Sequence, residues 1–124
     1  MANPVRTLRE LHYLYIPKPS GRTVAHCLDL DIVTAANDID EAEKRLDLLV
    51  TIHIEAALAV GNYAALNMDA PPKYWKAFND AFRNGRTRGP KNPLQIRVPE
   101  VVPMDQRLSS IDILAATAET AMAA

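Results

Sequence analysis

Acidic side chains crowd one stretch of this chain: Asp29, Asp31, Asp38, Asp40, Glu41 and Glu43 all fall between residues 29 and 43. Carboxylates that converge on a small volume are what hold Mg²⁺ for hydrolytic attack on a phosphodiester. Asp29 and Asp31, two residues apart, can share a strand face, so a divalent-metal nuclease using that pair is one reading. The other four have a simpler use. Asp38 and Glu41 stand at capping-box spacing, and Asp40, Glu41 and Glu43 place negative charge at the positive end of a helix dipole. Helix initiation accounts for most of the cluster, and a solvated strand end accounts for Asp29 and Asp31.

Other chemistry-bearing residues are scattered. His12, His26 and His53 fall in three different elements, and no CxxC or HxxxH spacing occurs. His26 and Cys27 are adjacent on a strand, point to opposite faces, and so cannot both ligate zinc. His53 reads as a core histidine with a satisfied hydrogen bond. Cys27 has no marked base or oxyanion hole and reads as a small buried hydrophobe. Gly21, Gly61, Gly85 and Gly89 form no phosphate loop. No catalytic residue, metal or cofactor is expected.

A different kind of recognition is written later in the chain. Tyr74, Trp75, Phe78 and Phe82 recur at helical spacing, and Arg83, Arg86, Arg88 and Lys91 come after them. Stacking plus phosphate neutralisation would make this an RNA-binding module. Aromatics at such spacing more often pin a helix to its core. A third use is a protein-docking surface built on Trp75, Phe78, Arg83, Arg86 and Arg88, since Trp and Arg are common interface anchors.

The whole chain offers no global field to attract nucleic acid or membrane: among 124 residues the net charge is −1, with 48% hydrophobic content. One cysteine allows no internal disulfide, and the first ten residues lack the apolar run of a secretory signal, so a reducing cytoplasm is expected. The longest apolar passage, Leu46 to Val60, carries Asp47, His53 and Glu55. It is too short and too charged to cross a bilayer.

The elements that must position these residues can be read from periodicity. Residues 1–9 read as a lead-in strand or loose arm, residues 11–16 as a strand, the proline-rich connector 17–21 as a long loop, and residues 23–31 as a second strand. In the second strand Val24, His26, Leu28 and Leu30 oppose Ala25, Cys27, Asp29 and Asp31, which suggests one covered face and one wetter face. A third strand spans Ile32 to Ala36. A helix then runs from Ile39 to Val60, with a core stripe of Ile39, Ala42, Leu46, Leu49, Val50, His53 and Ala57, and stops at Gly61. Pro71-Pro72 opens a second helix, capped by Asp69, that ends near Asn84-Gly85. Leu94 to Val98 alternates as an edge strand. An alanine-rich helix is expected from about Ser110 to Met122, with a seam of Ile111, Leu114, Ala115, Ala118 and Met122 that packs on its own domain or on a second subunit, the latter contributing to a homo-oligomer. The fold class is therefore α+β: a small antiparallel sheet with a long helix on one face, a second helix and a C-terminal helix.

Residues 12–60 also resemble the HicB-like antitoxin family. The likeness rests on Tyr15-Ile16-Pro17 through Gly21, on the strand from Val24 to Ala36, and on the cap and Glu-Ala pair of Asp38 to Ala42. The segment from Ala70 to Phe82 is similar to the stretch after the core in some solitary members. The resemblance implies a partial RNase H-like fold of β-β-β-α-β type over residues 1–85, with residues 86–124 as a C-terminal extension. It implies no nuclease activity, but binding and neutralisation of a small ribonuclease toxin, and frequent self-association. Relatives often repress their own operon through an added DNA-binding domain. Here Pro99 and Pro103 interrupt any ribbon-helix-helix after Leu94 to Val98, so operator binding is not expected. The partner surface would draw on Glu41, Arg45 and Leu48 of the first helix, or on the aromatic helix and its basic connector.

Overall fold

The computed structural model describes residues 8–88 and 92–118. Strands β1 (Glu10–Pro17), β2 (Thr23–Cys27) and β3 (Ile32–Ala36) succeed one another as an antiparallel meander, with Tyr13 opposite Cys27 and Ala25 opposite Thr34. Pro17 lies at the end of its ladder, opposite Thr23, where a missing N–H costs little. The tight link between β2 and β3 puts Asp31 at φ 52°, a left-handed conformation that aspartate tolerates better than most residues. The lead-in strand or arm expected over residues 1–9 lies, as far as residue 7, outside the described residues.

Helix α1 (Ile39–Val60) begins and ends on its local signals. The Asp38 carboxylate accepts the Glu41 N–H at 2.8 Å, and Gly61 closes the helix at φ 69°. Its buried column is Ala42, Leu46, Val50, Ile54, Ala57 and Leu58. The expected stripe is thus rotated slightly: Ile54 and Leu58 replace Leu49, which is 41% exposed, and His53 sits half-buried at the margin. Removing Leu46, Val50, Ile54 and Leu58 from water stabilises by roughly 6–12 kcal/mol gross.

Helix α2 (Pro72–Arg83) packs on the opposite sheet face. Pro71 occupies its N-cap position and no side chain caps it, so the cap expected from Asp69 is not made. Pro72 needs none, because its fixed φ suits a first turn. Both faces of the sheet are therefore covered: Ala25 and Cys27, on the β2 face expected to be wetter, join the α1-side core, while Val24 and Leu28 pack on the α2 side. Along β1, Leu11, Tyr13 and Tyr15 join the α1-side core, while Leu14 and Ile16 join the α2-side core. A strand buried on both sides loses its polar alternation, which is why β1 reads as one apolar run.

The C-terminal part departs most from expectation. Strand β4 is only Leu94–Gln95, and Ser110–Thr117 forms strand β5, not a helix. The sheet order is β3-β2-β1-β5-β4, with β5 parallel to β1 from Glu10↔Asp112 to Tyr15↔Thr117. The sheet is accordingly mixed, not antiparallel throughout. The physical reason is that β1 needs a partner on its second edge. Residues 110–118 supply one with apolar side chains for both cores: Ile111, Ile113 and Ala115 face α1, and Leu114, Ala116 and Ala118 face α2. Alanine's helix propensity does not outweigh that, since so short a helix is marginal by itself. The oligomerisation seam built on that helix disappears with it, and its last residue, Met122, lies outside the described residues. The boundary at residues 85/86 also cuts a continuous structure, because β5 sits inside the sheet of the first three strands. Among the described residues no helix is long and apolar enough to cross a membrane.

Candidate functional site

The outward side of α1 is where the chain exposes large apolar side chains in series. Burial of the column from Ala42 to Leu58 turns Glu41, Arg45, Leu48 and Ile52 away from the sheet, at steps of four, three and four residues. Leu48 is 61% exposed and Ile52 55%. Leu49 and Val60 extend the apolar surface. Arg45 pairs with Glu41 at 2.7 Å and donates to the Ala35 carbonyl at 2.9 Å, which ties the N-terminal end of this ridge to β3. Glu41, Arg45 and Leu48, singled out in the sequence, do share one face. Ile52 was missed, although its place four residues after Leu48 marks it as a neighbour.

On the inward side a polar seam joins α1 to the sheet. Tyr13 Oη donates to Asp47 at 2.8 Å, and Tyr15 Oη to Glu43 at 3.0 Å. Two tyrosines two apart on β1 meet two carboxylates four apart on α1. Burial first, and the adjacent Asp47 or Glu43 carboxylate second, push both phenols well above the usual tyrosine range. They stay neutral donors. Arg88 completes the seam, reaching Glu43 at 3.2 Å and Asp40 at 3.1 Å with its guanidinium 5.4 Å from the Tyr15 ring centre.

That placement separates the three arginines of the basic connector. Arg88 is committed to α1, Arg83 is exposed beside Asp80 at 3.8 Å, and Arg86 is half-buried with its backbone bonded to Ala81 and Thr117. They do not form one row against a phosphate backbone. Phe78 is 3% exposed and belongs to the α2-side core, so it cannot touch a partner as expected. Its ring meets His12 edge-on at 5.3 Å and stacks on the more exposed Phe82 at 5.8 Å. Trp75 is half-buried, edge-on to His12 at 5.1 Å. It lines a shallow hollow of about 740 Å³ with Asp69, Lys76, Asp80 and Arg83.

The two aspartates weighed as a metal pair diverge. Asp29 is 2% exposed, accepting the His12 backbone N–H at 2.6 Å, with His12 Nδ1 3.1 Å from its second oxygen. Asp31, at the β3 entry, lies 2.7 Å from His26 Nε2. Each carboxylate is matched to a different histidine on a different strand. Among the described residues no three His, Cys, Asp or Glu side chains are grouped to hold a metal ion. His53 Nε2 donates to the Ala65 carbonyl at 2.8 Å, and Cys27 is a buried thiol. Comparison with family models, curated proteins and solved structures found no match.

Proposed function

We propose that this chain is a non-enzymatic binding protein of the HicB-like antitoxin type, which neutralises a small ribonuclease toxin by covering it with the outward face of α1. The observation that carries the reading is the ridge of Leu48 and Ile52, each more than half exposed on a helix whose opposite side is fully packed. Leaving two large apolar groups in water at the middle of a helix forgoes roughly 1.5–3 kcal/mol for each, an expense that a partner surface recovers. The element order supports the same reading: three strands, a long helix, and a later strand returning to the sheet are what the resemblance implies. So does the fate of the two aspartates weighed as a metal pair, Asp29 and Asp31, each of which is matched to a histidine. The cytoplasmic setting that a single buried cysteine favours is part of the proposal.

The test is reconstitution with the product of the adjacent gene. Mixed at equal molarity, the chain stops that protein from cleaving RNA, and the pair elutes as one species. Replacing both Leu48 and Ile52 by Glu restores cleavage, because neither side chain supports the fold. Trp75→Ala, on the far side of the sheet, leaves neutralisation intact. Cleavage that continues beside the wild-type chain, or stops equally with the double variant, overturns the reading.

A further inference from the structure

We propose that the hollow left open over β2 and β3 by the start of α2 binds a free α-amino acid with an apolar side chain. Its carboxylate lies at Lys73, its ammonium at His26, and its side chain on Val24 and Val33. The floor follows from strand register. Ile16 stands opposite Val24 and His26 opposite Val33, so these four side chains rise on one sheet face, the face on which α2 packs. Helix α2 stops short of covering Val33, which is 53% exposed. The four residues floor a hollow of about 290 Å³, with Lys18, Lys73 and Tyr74 around it. Ligand pockets run from roughly 300 to 1,000 Å³, so the occupant is small.

Three polar groups at this hollow are not used by the fold. His26 is 3% exposed, and its Nε2 lies 2.7 Å from Asp31. A carboxylate there keeps the ring proton on Nε2 and leaves Nδ1 as an acceptor, with no hydrogen-bond partner among the described residues. Buried polar atoms are nearly always bonded, so an idle nitrogen on so buried a side chain is a place for a donor. The Tyr74 hydroxyl has no partner among the described residues either. Lys73 holds its ammonium 4.9 Å from the Tyr74 ring centre and, among the described residues, forms no ion pair. It also stands in the first turn of α2, which no side chain caps, so its charge and the helix dipole both favour an anion at this end.

Charge and floor together choose the ligand. The His26 ring lies edge-on to Tyr74 with centres 4.7 Å apart, so His26 and Lys73 flank a single aromatic ring. One flank is an ammonium. The other is an acceptor nitrogen backed by the Asp31 carboxylate, and it favours a positively charged donor. A molecule with a carboxylate and an ammonium on one carbon answers both, while an apolar side chain covers Val24 and Val33 against the Tyr74 wall. A fatty acid would leave His26 without a donor, and an amine would leave Lys73 without an anion. A charged side chain would set an unpaired charge on the apolar floor. The hollow is on the opposite sheet face from the Leu48 and Ile52 ridge, and the inference stands whether or not that ridge binds a toxin.

L-Leucine is the probe, added to the full chain and followed through amide and methyl resonances. Saturable shifts are expected at Val24, Val33, Lys73 and Tyr74, with Leu48 and Ile52 unmoved. Leucinamide lacks the carboxylate and isocaproate lacks the ammonium; each binds about tenfold or more weakly, as loss of a charged hydrogen bond demands. Lys73→Glu, at an exposed side chain, lowers leucine affinity by a similar factor and leaves leucinamide binding unreduced. Should that variant fail to fold, the three ligands still decide on the unaltered chain. No saturable shift up to the solubility of leucine overturns the proposal. So does equal binding of leucine and isocaproate, which makes the hollow a general apolar site. Leucinamide binding as tightly as leucine overturns it too, and assigns the hollow to the first residue of a peptide.

Discussion

Tyr13 and Tyr15 are fully buried, yet each keeps a hydroxyl that must be satisfied, and α1 supplies Asp47 and Glu43 for the purpose. A hydrogen bond to a charged acceptor contributes about 1.5–3 kcal/mol, so Tyr13→Phe should lower unfolding free energy in urea by about that amount. The raised phenol pKa values carry a pH signature. Above the ordinary tyrosine pKa the unfolded chain releases these protons while the folded chain retains them, so folding is penalised as pH rises. Their contribution is complete below a pH of about 10 and is lost above it, at about 1.4 kcal/mol per pH unit for each buried tyrosine. Urea titrations above a pH of about 10 should show a slope that Tyr13→Phe or Tyr15→Phe lessens by that amount. A phenolate absorbance titration should show that two of the four tyrosines ionise only on unfolding. The seam was partly legible: Tyr13 with Tyr15 and Glu43 with Asp47 have the right spacings for a strand and a helix. What no local pattern states is that β1 lies against this face of α1 at this register, because that pairing spans about thirty residues of chain.

At the scale of elements, legibility tracks how local the deciding interaction is. The bounds of α1 came from Asp38, Glu41 and Gly61, groups that act within a turn of their own helix, and β3 came from a run of β-formers after a bend. The segment from Ser110 to Thr117 has the composition of a helix, and only its contact with β1, about a hundred residues earlier in the chain, makes it a strand. The difference is measurable at Ala116, which is wholly buried between β1 and α2. On an amphipathic helix with the expected seam, position 116 falls outside that seam, and a larger residue is tolerated. In the strand, Ala116→Leu forces α2 off the sheet and should cost about 1–3 kcal/mol. Chemical denaturation with an unchanged or raised midpoint for Ala116→Leu would contradict the strand. The same locality explains Phe78 and Trp75: helical spacing placed both on α2 and left open which of them α2 would bury.

The whole molecule joins two ends of the chain that composition alone sets apart. Strand β5 is hydrogen-bonded to β1 along its length, and residues 86–88 bond its other side, with Arg88 N–H donating to Ala115 and Thr117 N–H to Arg86 at 3.0 and 2.8 Å. Ile96, Val102 and Leu108, from the stretch between β4 and β5, are buried in the same core as α1. Unfolding β5 together with that stretch would strip one edge of β1 and open both cores, so no stable intermediate consisting of residues 8–85 is available. Loss of structure is therefore cooperative, as expected for a single domain of this size. Native-state hydrogen exchange should give Ala115 and Ala116 in β5 the same opening free energy as Leu14 and Tyr15 in β1, both converging on the global value. Thermal unfolding monitored by near- and far-ultraviolet circular dichroism should trace one coincident transition. An extension merely appended to a self-sufficient first domain would exchange its amides at lower free energy and melt first. Truncation sharpens the distinction. Removing residues 108–124 deletes the parallel partner of β1, and the shortened chain should lose its cooperative transition, whereas a dispensable tail would leave the midpoint of the remainder in place.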